Sequence, residues 1–195
     1  MPRRDMIAAE RVAALLLAAG ESRRFGAANK LLAELRGQPL VLHIAARLAQ
    51  LGFGTRIAIC SDDRVAALLG DAGFQIVPNP APERGLSQSL ALGIGALPEN
   101  ADAALVCLGD MPAVPEAHVD ALLARFDPDR APVVASALAG RPMPPALFGR
   151  SLFPALRTQT GDRGARDLLV AAAHVPASPS WLADIDAPAD LARAP

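Results

Sequence analysis

The sequence predicts an α/β fold, a three-layer sandwich in which helices cover both faces of a mostly parallel central sheet. Three observations predict it. Residues 12–17, 55–60 and 103–108 are short, almost uninterrupted apolar runs, as strands buried on both faces require. Between them lie stretches whose apolar residues recur at helical spacing. The loops that follow the first and third of these runs carry glycines and charged residues, and the carboxyl edge of a parallel sheet is where such folds hold ligands.

The elements follow in order. Residues 12–17 form a central strand that breaks at Gly20 into a loop with Arg23, Arg24, Gly26 and then Lys30. Pro39 suits the first turn of a helix reaching Leu51, with Leu40, Ile44, Leu48 and Leu51 on one face. Gly52 and Gly54 end it, and residues 55–60 form a second buried strand. Ser61 or Asp62 caps a helix through Leu69, closed by Gly70 and Asp71. Residues 74–77 make a short strand that stops at the proline-rich loop 78–82. Residues 87–97 are helical with Leu86, Leu90, Ile94 and Leu97 inward, and Gly93 and Gly95 mark a close approach by a neighbour. Residues 103–108 form a strand leading directly into Gly109-Asp110-Met111-Pro112. A helix over 115–126 and a strand over 132–137 come next. Further on, 148–156 reads as a helix broken near Pro154, and 165–172 as a helix. Residues 181–186 read as a last strand, and Pro188 opens a closing helix.

At 195 residues the chain suits one domain spanning 1–195, with 1–10 a flexible N-terminal piece. A formal net charge of -1 argues against a general nucleic-acid partner, which needs a basic face. No apolar run approaches transmembrane length, and residues 12–19 are short for the core of a secretory signal, so no membrane is expected. Cys60 and Cys107 both fall in apolar runs and read as small buried hydrophobes in a reducing compartment, giving a cytoplasmic expectation.

Candidate chemistry lies in the loops. The stretch from Leu17 through Gly20 to Lys30 joins small residues, which let backbone N–H groups approach an anion, to cations that neutralise it. It has neither the Gly-Lys-Ser/Thr ending of a P-loop nor the dinucleotide fingerprint. Asp110 follows a buried strand at the ligand edge, and a hard oxygen ligand facing phosphates suits Mg²⁺. A second carboxylate is available from Asp184 or Asp186. Ser87 is either a helix cap or a hydroxyl for base or sugar recognition. Arg163 and Arg166 are either an anion contact or a solvated turn. His43, His118 and His174 lack metal-ligand spacing and read as structural or surface residues.

Several segments, in order, resemble the MobA-like nucleotidyltransferase family, and within it the molybdenum cofactor cytidylyltransferases. Leu17-Ala18-Ala19-Gly20-Glu21-Ser22-Arg23-Arg24-Phe25-Gly26, with Asn29-Lys30-Leu31-Leu32, looks like the family's opening signature. Residues 83–90, Gly109-Asp110-Met111-Pro112, residues 161–166 and residues 184–191 resemble its later motifs. The resemblance implies the Rossmann-like fold of the nucleotide-diphospho-sugar transferases. It also implies transfer of a nucleoside monophosphate from CTP (or GTP) to the phosphate of an acceptor, molybdopterin, with release of pyrophosphate. Arg24 and Lys30 would hold the triphosphate, Asp110 and Asp186 would hold Mg²⁺, and Leu17, Ala18, Ala19, Gly20 and Ser87 would line the nucleotide pocket. Arg163 and Arg166 would face the acceptor, a molybdoenzyme would receive the product, and the chain would act as a monomer or weak dimer.

The base is signalled in two directions. An Ala-Ala-Gly opening resembles cytidine-using members, and a Cβ at Ala19 leaves less room for a purine. Met111 resembles guanosine-using members. Gly140-Arg141-Pro142-Met143-Pro144-Pro145 departs from the family's Gly-His-Pro or Gly-Asn-Pro element, which leaves the acceptor open to another phosphorylated compound, and a non-catalytic cofactor-binding role open as well.

Overall fold

A computed structural model describes residues 7–20, 22, 25, 29–158 and 166–194, with the side chain of Arg166 outside the description. Strand β1, Val12–Ala18, is buried at every position, because its apolar residues have a packed layer on either side. A two-residue ribbon follows, β2 at Glu34–Leu35 and β3 at Gln38–Pro39, leading into helix α1, Leu40–Gln50. Strand β4 is Thr55–Cys60 and helix α2 is Asp63–Asp71. Asp62 caps α2, its carboxylate accepting from the Arg64 and Val65 amides, as the sequence led one to expect. Strand β5 (Gln75–Pro78), helix α3 (Leu86–Gly95), strand β6 (Ala103–Leu108) and helix α4 (Glu116–Arg125) complete the regular part. Strand β7 is Val133–Leu138 and β8 is Arg141–Gly149. Helices α5 (Phe153–Arg157) and α6 (Arg166–Val170), strand β9 (Ala173–Pro176) and helix α7 (Pro188–Leu191) close the chain.

Seven strands form one sheet in the order β5-β4-β1-β6-β8-β7-β9. β8 pairs antiparallel with both its neighbours, and every other pairing in the sheet is parallel. Alternate residues of β1 serve opposite layers. Val12, Ala14 and Leu16 meet Leu40, Ile44 and Leu48 of α1 in one cluster. Leu15 and Leu17 join Leu90 and Ile94 of α3 and Phe153 and Leu156 of α5 in the other. The expected three-layer sandwich is therefore present, and its parallel strands bring the ends of β1 and β6 side by side.

The structure departs from the sequence reading in three places. Residues 141–149 are a strand, whose last two residues fall in the stretch 148–156 expected to be helical. Pro142 and Pro144 lie in the half of β8 that pairs with β7 alone, since the pairing with β6 stops at Ala146. Proline is tolerated where no second neighbour needs its N–H, and the β7–β8 register shifts between Ala135 and Ser136 beside it. Residues 173–176 pair with β7 as an unexpected edge strand. Residues 181–186 make no ladder; Leu182 and Ile185 are buried, and the Ile185 amide donates to the Asp110 carbonyl at 3.0 Å.

Gly93 confirms a close approach. A Cβ there would stand 2.9 Å from Ile59 Cδ1 and 3.2 Å from Leu15 Cδ1. Gly95 does not, having nothing within 4 Å. Cys60 and Cys107 are free and buried, and burial pushes both thiols up to about 12. No helix among the described residues is long and apolar enough to cross a membrane.

Candidate active site

Beyond β1 the chain turns through Gly20, and Ser22 Oγ accepts from the Lys30 backbone amide at 3.1 Å. Asn29 caps the single helical turn Lys30–Leu32, its Oδ1 accepting from the Leu31 amide at 3.0 Å. This turn fixes the stem of Lys30, which is 8% exposed. From the neighbouring strand β6, Gly109 donates to the Leu17 carbonyl at 3.0 Å, holding the two strand ends together. A Cβ on Gly109 would stand 3.3 Å from Leu31 Cδ2 and 3.4 Å from the Leu17 carbonyl oxygen, so glycine permits this crossing. Asp110 then enters the space beyond β1.

The third wall comes from the far end of the chain. Asp190 Oδ2 accepts from the amides of Asp186 and Ala187 at 3.1 and 2.8 Å, and Ile185 is tied to Asp110 as described above. These bonds bring Asp186 to the strand ends. Lys30 Nζ donates to Asp110 Oδ2 at 2.6 Å and to Asp186 Oδ1 at 3.0 Å. Burial disfavours the Lys30 ammonium, but the attraction of Asp110 and Asp186 outweighs it and the lysine pKa is raised. Asp184 stands near the same group: burial, then the charges of Asp186 and Asp110, raise its carboxyl above the usual range.

Asp110 retains an unsatisfied atom. Its Oδ1 is buried and has no hydrogen-bond partner among the described residues. A buried carboxylate oxygen with no donor is costly unless a cation meets it. The donor set, two hard carboxylates at the mouth of a cavity, fits a magnesium-like ion that takes one or two carboxylates and draws its other ligands from phosphate and water. Among the described residues no cluster of three His, Cys, Asp or Glu side chains suits a metal, so a site that recruits its remaining ligands is the form these residues allow.

These groups border a cavity of about 380 Å³. Leu17, Ala19, Gly20, Lys30, Asp110 and Asp186 line it, which gathers most of the residues singled out from the sequence. Ala18 and Ser87 do not line it. Ser87 is fully buried in the first turn of α3, and the cap position belongs to Gly85 at φ 85°, so Ser87 is not the helix cap. Ser89, two residues further along α3, does line the cavity and accepts from Asn79 Nδ2 at 3.0 Å. Pro82, Gly85 and Leu86 add a rim on the same side, which explains why Leu86 remains 41% exposed. The only sequence signal for Ser89 was its place beside Ser87 in the same motif. Met111, in contrast, is 1% exposed in the core and does not line the cavity. Arg24 and Arg163 lie outside the described residues, as does the side chain of Arg166 at the start of α6.

The histidines behave as structural residues. His43 Nε2 donates to the Leu35 carbonyl at 2.8 Å and its Nδ1 accepts from Gln38 Nε2 at 3.3 Å, fastening the β2–β3 ribbon to α1. His118 is 3% exposed, donates from Nε2 to Ser136 Oγ at 2.8 Å, and Ser136 passes its proton bond to the Pro145 carbonyl at 2.7 Å. His174 lies on edge strand β9, away from the cavity lining.

Residues 14–176 match the MobA-like NTP transferase domain. A probable molybdenum cofactor guanylyltransferase of Pyrococcus horikoshii is 32% identical over 120 residues, 60% of this chain and 57% of that protein, so the match spans little more than half of that relative. The purine catabolism protein PucB of Bacillus subtilis is 31% identical over 165 residues, covering 80% of this chain and 78% of PucB. Among solved structures, Rv0371c of Mycobacterium tuberculosis superposes with a TM-score of 0.78 at 22% identity, over 95% of this chain and 97% of that one. A second structure of that protein, in complex with manganese, gives 0.75 at 20% identity, over 93% and 96% of the two chains. A CMP:2-keto-3-deoxy-manno-octonic acid synthetase complexed with CTP gives 0.72 at 17% identity, over 93% and 95%. Because that match takes in most of the chain, the chain belongs to the MobA-like NTP transferase family.

Proposed function

We propose that this protein transfers a cytidylyl group from CTP to the terminal phosphate of molybdopterin, with release of pyrophosphate. The observation that carries the reading is the meeting of Lys30 with Asp110 and Asp186 at one end of a cavity whose other walls are small or apolar. Such a site suits charged phosphates beside the lysine and a base against the apolar wall, and neither Cys nor His is among the described residues that line it.

In the proposed reaction an oxygen of the acceptor phosphate forms a bond to the α-phosphorus of the nucleotide. The bond from that phosphorus to the bridging oxygen breaks, and pyrophosphate leaves with the electron pair. Positioning and charge neutralisation are then the protein's main contributions. Gly20 and Ala19 allow close approach of the triphosphate to backbone, and Lys30 neutralises the charge that develops on the departing oxygens. Arg24 is proposed as a second cation for the triphosphate. Asp110 and Asp186 would hold a divalent ion, Mg²⁺ in our reading, which supplies Lewis-acid charge to the phosphates when bound. The likeness to a manganese-complexed fold relative is consistent with a divalent site in this fold.

For the base, Ala19 lines the cavity with a Cβ, which favours the smaller pyrimidine. Met111, the residue that pointed to guanosine, is buried away from it, so its side chain has no direct means of choosing a base. The acceptor is carried by the resemblance and by the name of the Pyrococcus relative; the departure at residues 140–145 keeps another phosphorylated acceptor as the second reading. Arg163 and Arg166 are proposed on the acceptor side.

The test is pyrophosphate release with molybdopterin and each of CTP, GTP and ATP, with divalent ion added. CTP should be preferred. Equal or greater turnover with GTP overturns the base, and release with none of the three overturns the transferase reading.

A further inference from the structure

A second cavity, of about 270 Å³, lies behind the catalytic loops. Its walls are Leu35 and Arg36 of the β2–β3 ribbon, His43 and Arg47 of α1, Pro112 and Ala113 after Asp110, and Ser180 and Trp181 ahead of Asp186. The same three stretches of chain that deliver Lys30, Asp110 and Asp186 to the active site thus also enclose this space.

Its charge is one-sided. Arg36 and Arg47 line it, no carboxylate does, and neither guanidinium has an ion pair among the described residues. Arg47 Nε is buried with no hydrogen-bond partner among them. Two guanidiniums without a carboxylate partner, one with a buried unsatisfied donor, favour an anion, and guanidinium geometry matches phosphate. His43 is committed at both ring nitrogens to Leu35 and Gln38, so it holds the ribbon in place rather than binding a ligand. Trp181 adds an aromatic wall that is 38% exposed and is steadied by the His118 ring at 5.8 Å. An indole beside two guanidiniums suits a planar ring that carries the anion.

We propose that this cavity is a second binding site, for a small aromatic or heteroaromatic phosphate monoester, with Arg36 and Arg47 holding the phosphate and Trp181 packing on the ring. The cavity, at about 270 Å³, is slightly smaller than the roughly 300–1,000 Å³ usual for ligand sites, which suits one ring system with one phosphate and excludes a nucleoside triphosphate. The proposal stands apart from the transferase reading, because it rests on residues that do not line the catalytic cavity.

Trp181 is the single tryptophan in the chain and lines this cavity, so its fluorescence follows binding there. Phenyl phosphate should quench it saturably, inorganic phosphate should bind at least about tenfold more weakly for want of the ring, and phenol should give no saturation. Arg47→Gln and Arg36→Asn should each raise the half-saturating concentration about tenfold or more. Arg36 sits in the β2–β3 turn at φ 51°, where asparagine is well tolerated, so that variant keeps the fold intact even if Arg47→Gln does not. Lys30→Met should leave the titration unchanged. Non-saturating quenching, an unaltered titration in Arg36→Asn, equal affinity for inorganic phosphate, or loss of the signal in Lys30→Met, which would place the phosphate in the catalytic cavity, would each overturn the proposal.

Discussion

Lys30 joins the stability of the candidate site to the chemistry proposed for it. Its ammonium separates two carboxylates that are only partly solvated, with side-chain exposures of 19% for Asp110 and 28% for Asp186. Removing one member of a buried ionic group strands the others. Lys30→Met should therefore lower stability by about 1–2 kcal/mol, less than for a fully buried group because both aspartates keep some water. In a chain of this size that is about 2–4 °C in Tm per kcal/mol. Mn²⁺ or Mg²⁺ should restore more of the Tm in Lys30→Met than it adds to the parent, since the ion takes up the charge the lysine left. Turnover should fall on the order of 10²-fold and should not return with the ion, because the lysine's own contact to the phosphates is gone. A variant with parental turnover would remove Lys30 from the mechanism. His118 makes a separate prediction. Burial lowers its pKa below the ordinary 6.5, so the folded state keeps it neutral while the unfolded chain takes up a proton first. The stability this gives is complete above about pH 6.5 and is lost as pH falls through the lowered folded value. The fall in Tm between about pH 7.5 and pH 5.5 should be smaller in His118→Gln than in the parent.

At the scale of elements, α3 carries a test in its two glycines. Alanine is favoured over glycine in a helix by up to about 1 kcal/mol. At Gly95 nothing obstructs the new methyl, so Gly95→Ala should raise Tm, by less than the full amount because the residue ends the helix. At Gly93 the methyl meets Ile59 and Leu15, both fully buried, and overpacking costs about 1–3 kcal/mol. Gly93→Ala should lower Tm despite the better helix propensity. The two glycines look alike in the sequence, and only the sheet packed beneath one of them separates their effects. The same limit explains what else the sequence concealed. Strands β1, β4 and β6 were legible because burial on both faces writes itself as an apolar run. Strand β8 was hidden by its prolines, which are harmless because the pairing with the adjoining strand β6 stops at Ala146, short of them. Residues 181–186 looked like a strand because Leu182 and Ile185 are core residues, yet one backbone bond to Asp110 takes the place of a ladder.

At the scale of the whole molecule, the candidate site exists only when the sheet is complete. Lys30 and Asp110 are 80 residues apart in the chain, and Lys30 and Asp186 are 156 apart. Lys30 and Asp110 were legible as a pair, since both follow apolar runs into glycine-bearing loops. By its position alone Asp186 was one of two candidates, and only the family resemblance singled it out, because what brings it rather than Asp184 onto Lys30 is the way the last segment docks. Leu182 and Ile185 anchor that segment in the core at 2% exposure each, and Asp190 caps the turn that follows. Docking and ligation should therefore be separable. Ile185→Ala removes a buried anchor and should cost about 2–4 kcal/mol, read as a shift in the denaturation midpoint. It should also weaken Mn²⁺ binding, measured by calorimetry well below the melting range, because the carboxylate next to the lost anchor no longer has a fixed place. Asp186→Asn should weaken Mn²⁺ binding as much or more while leaving the midpoint near the parental value, since Ile185 and Asp190 still hold the backbone. If Asp186→Asn binds Mn²⁺ as tightly as the parent, Asp186 is not a ligand and its part is confined to orienting Lys30. If Ile185→Ala loses stability but keeps Mn²⁺ affinity, the carboxylate is held by Lys30 rather than by the docked chain end.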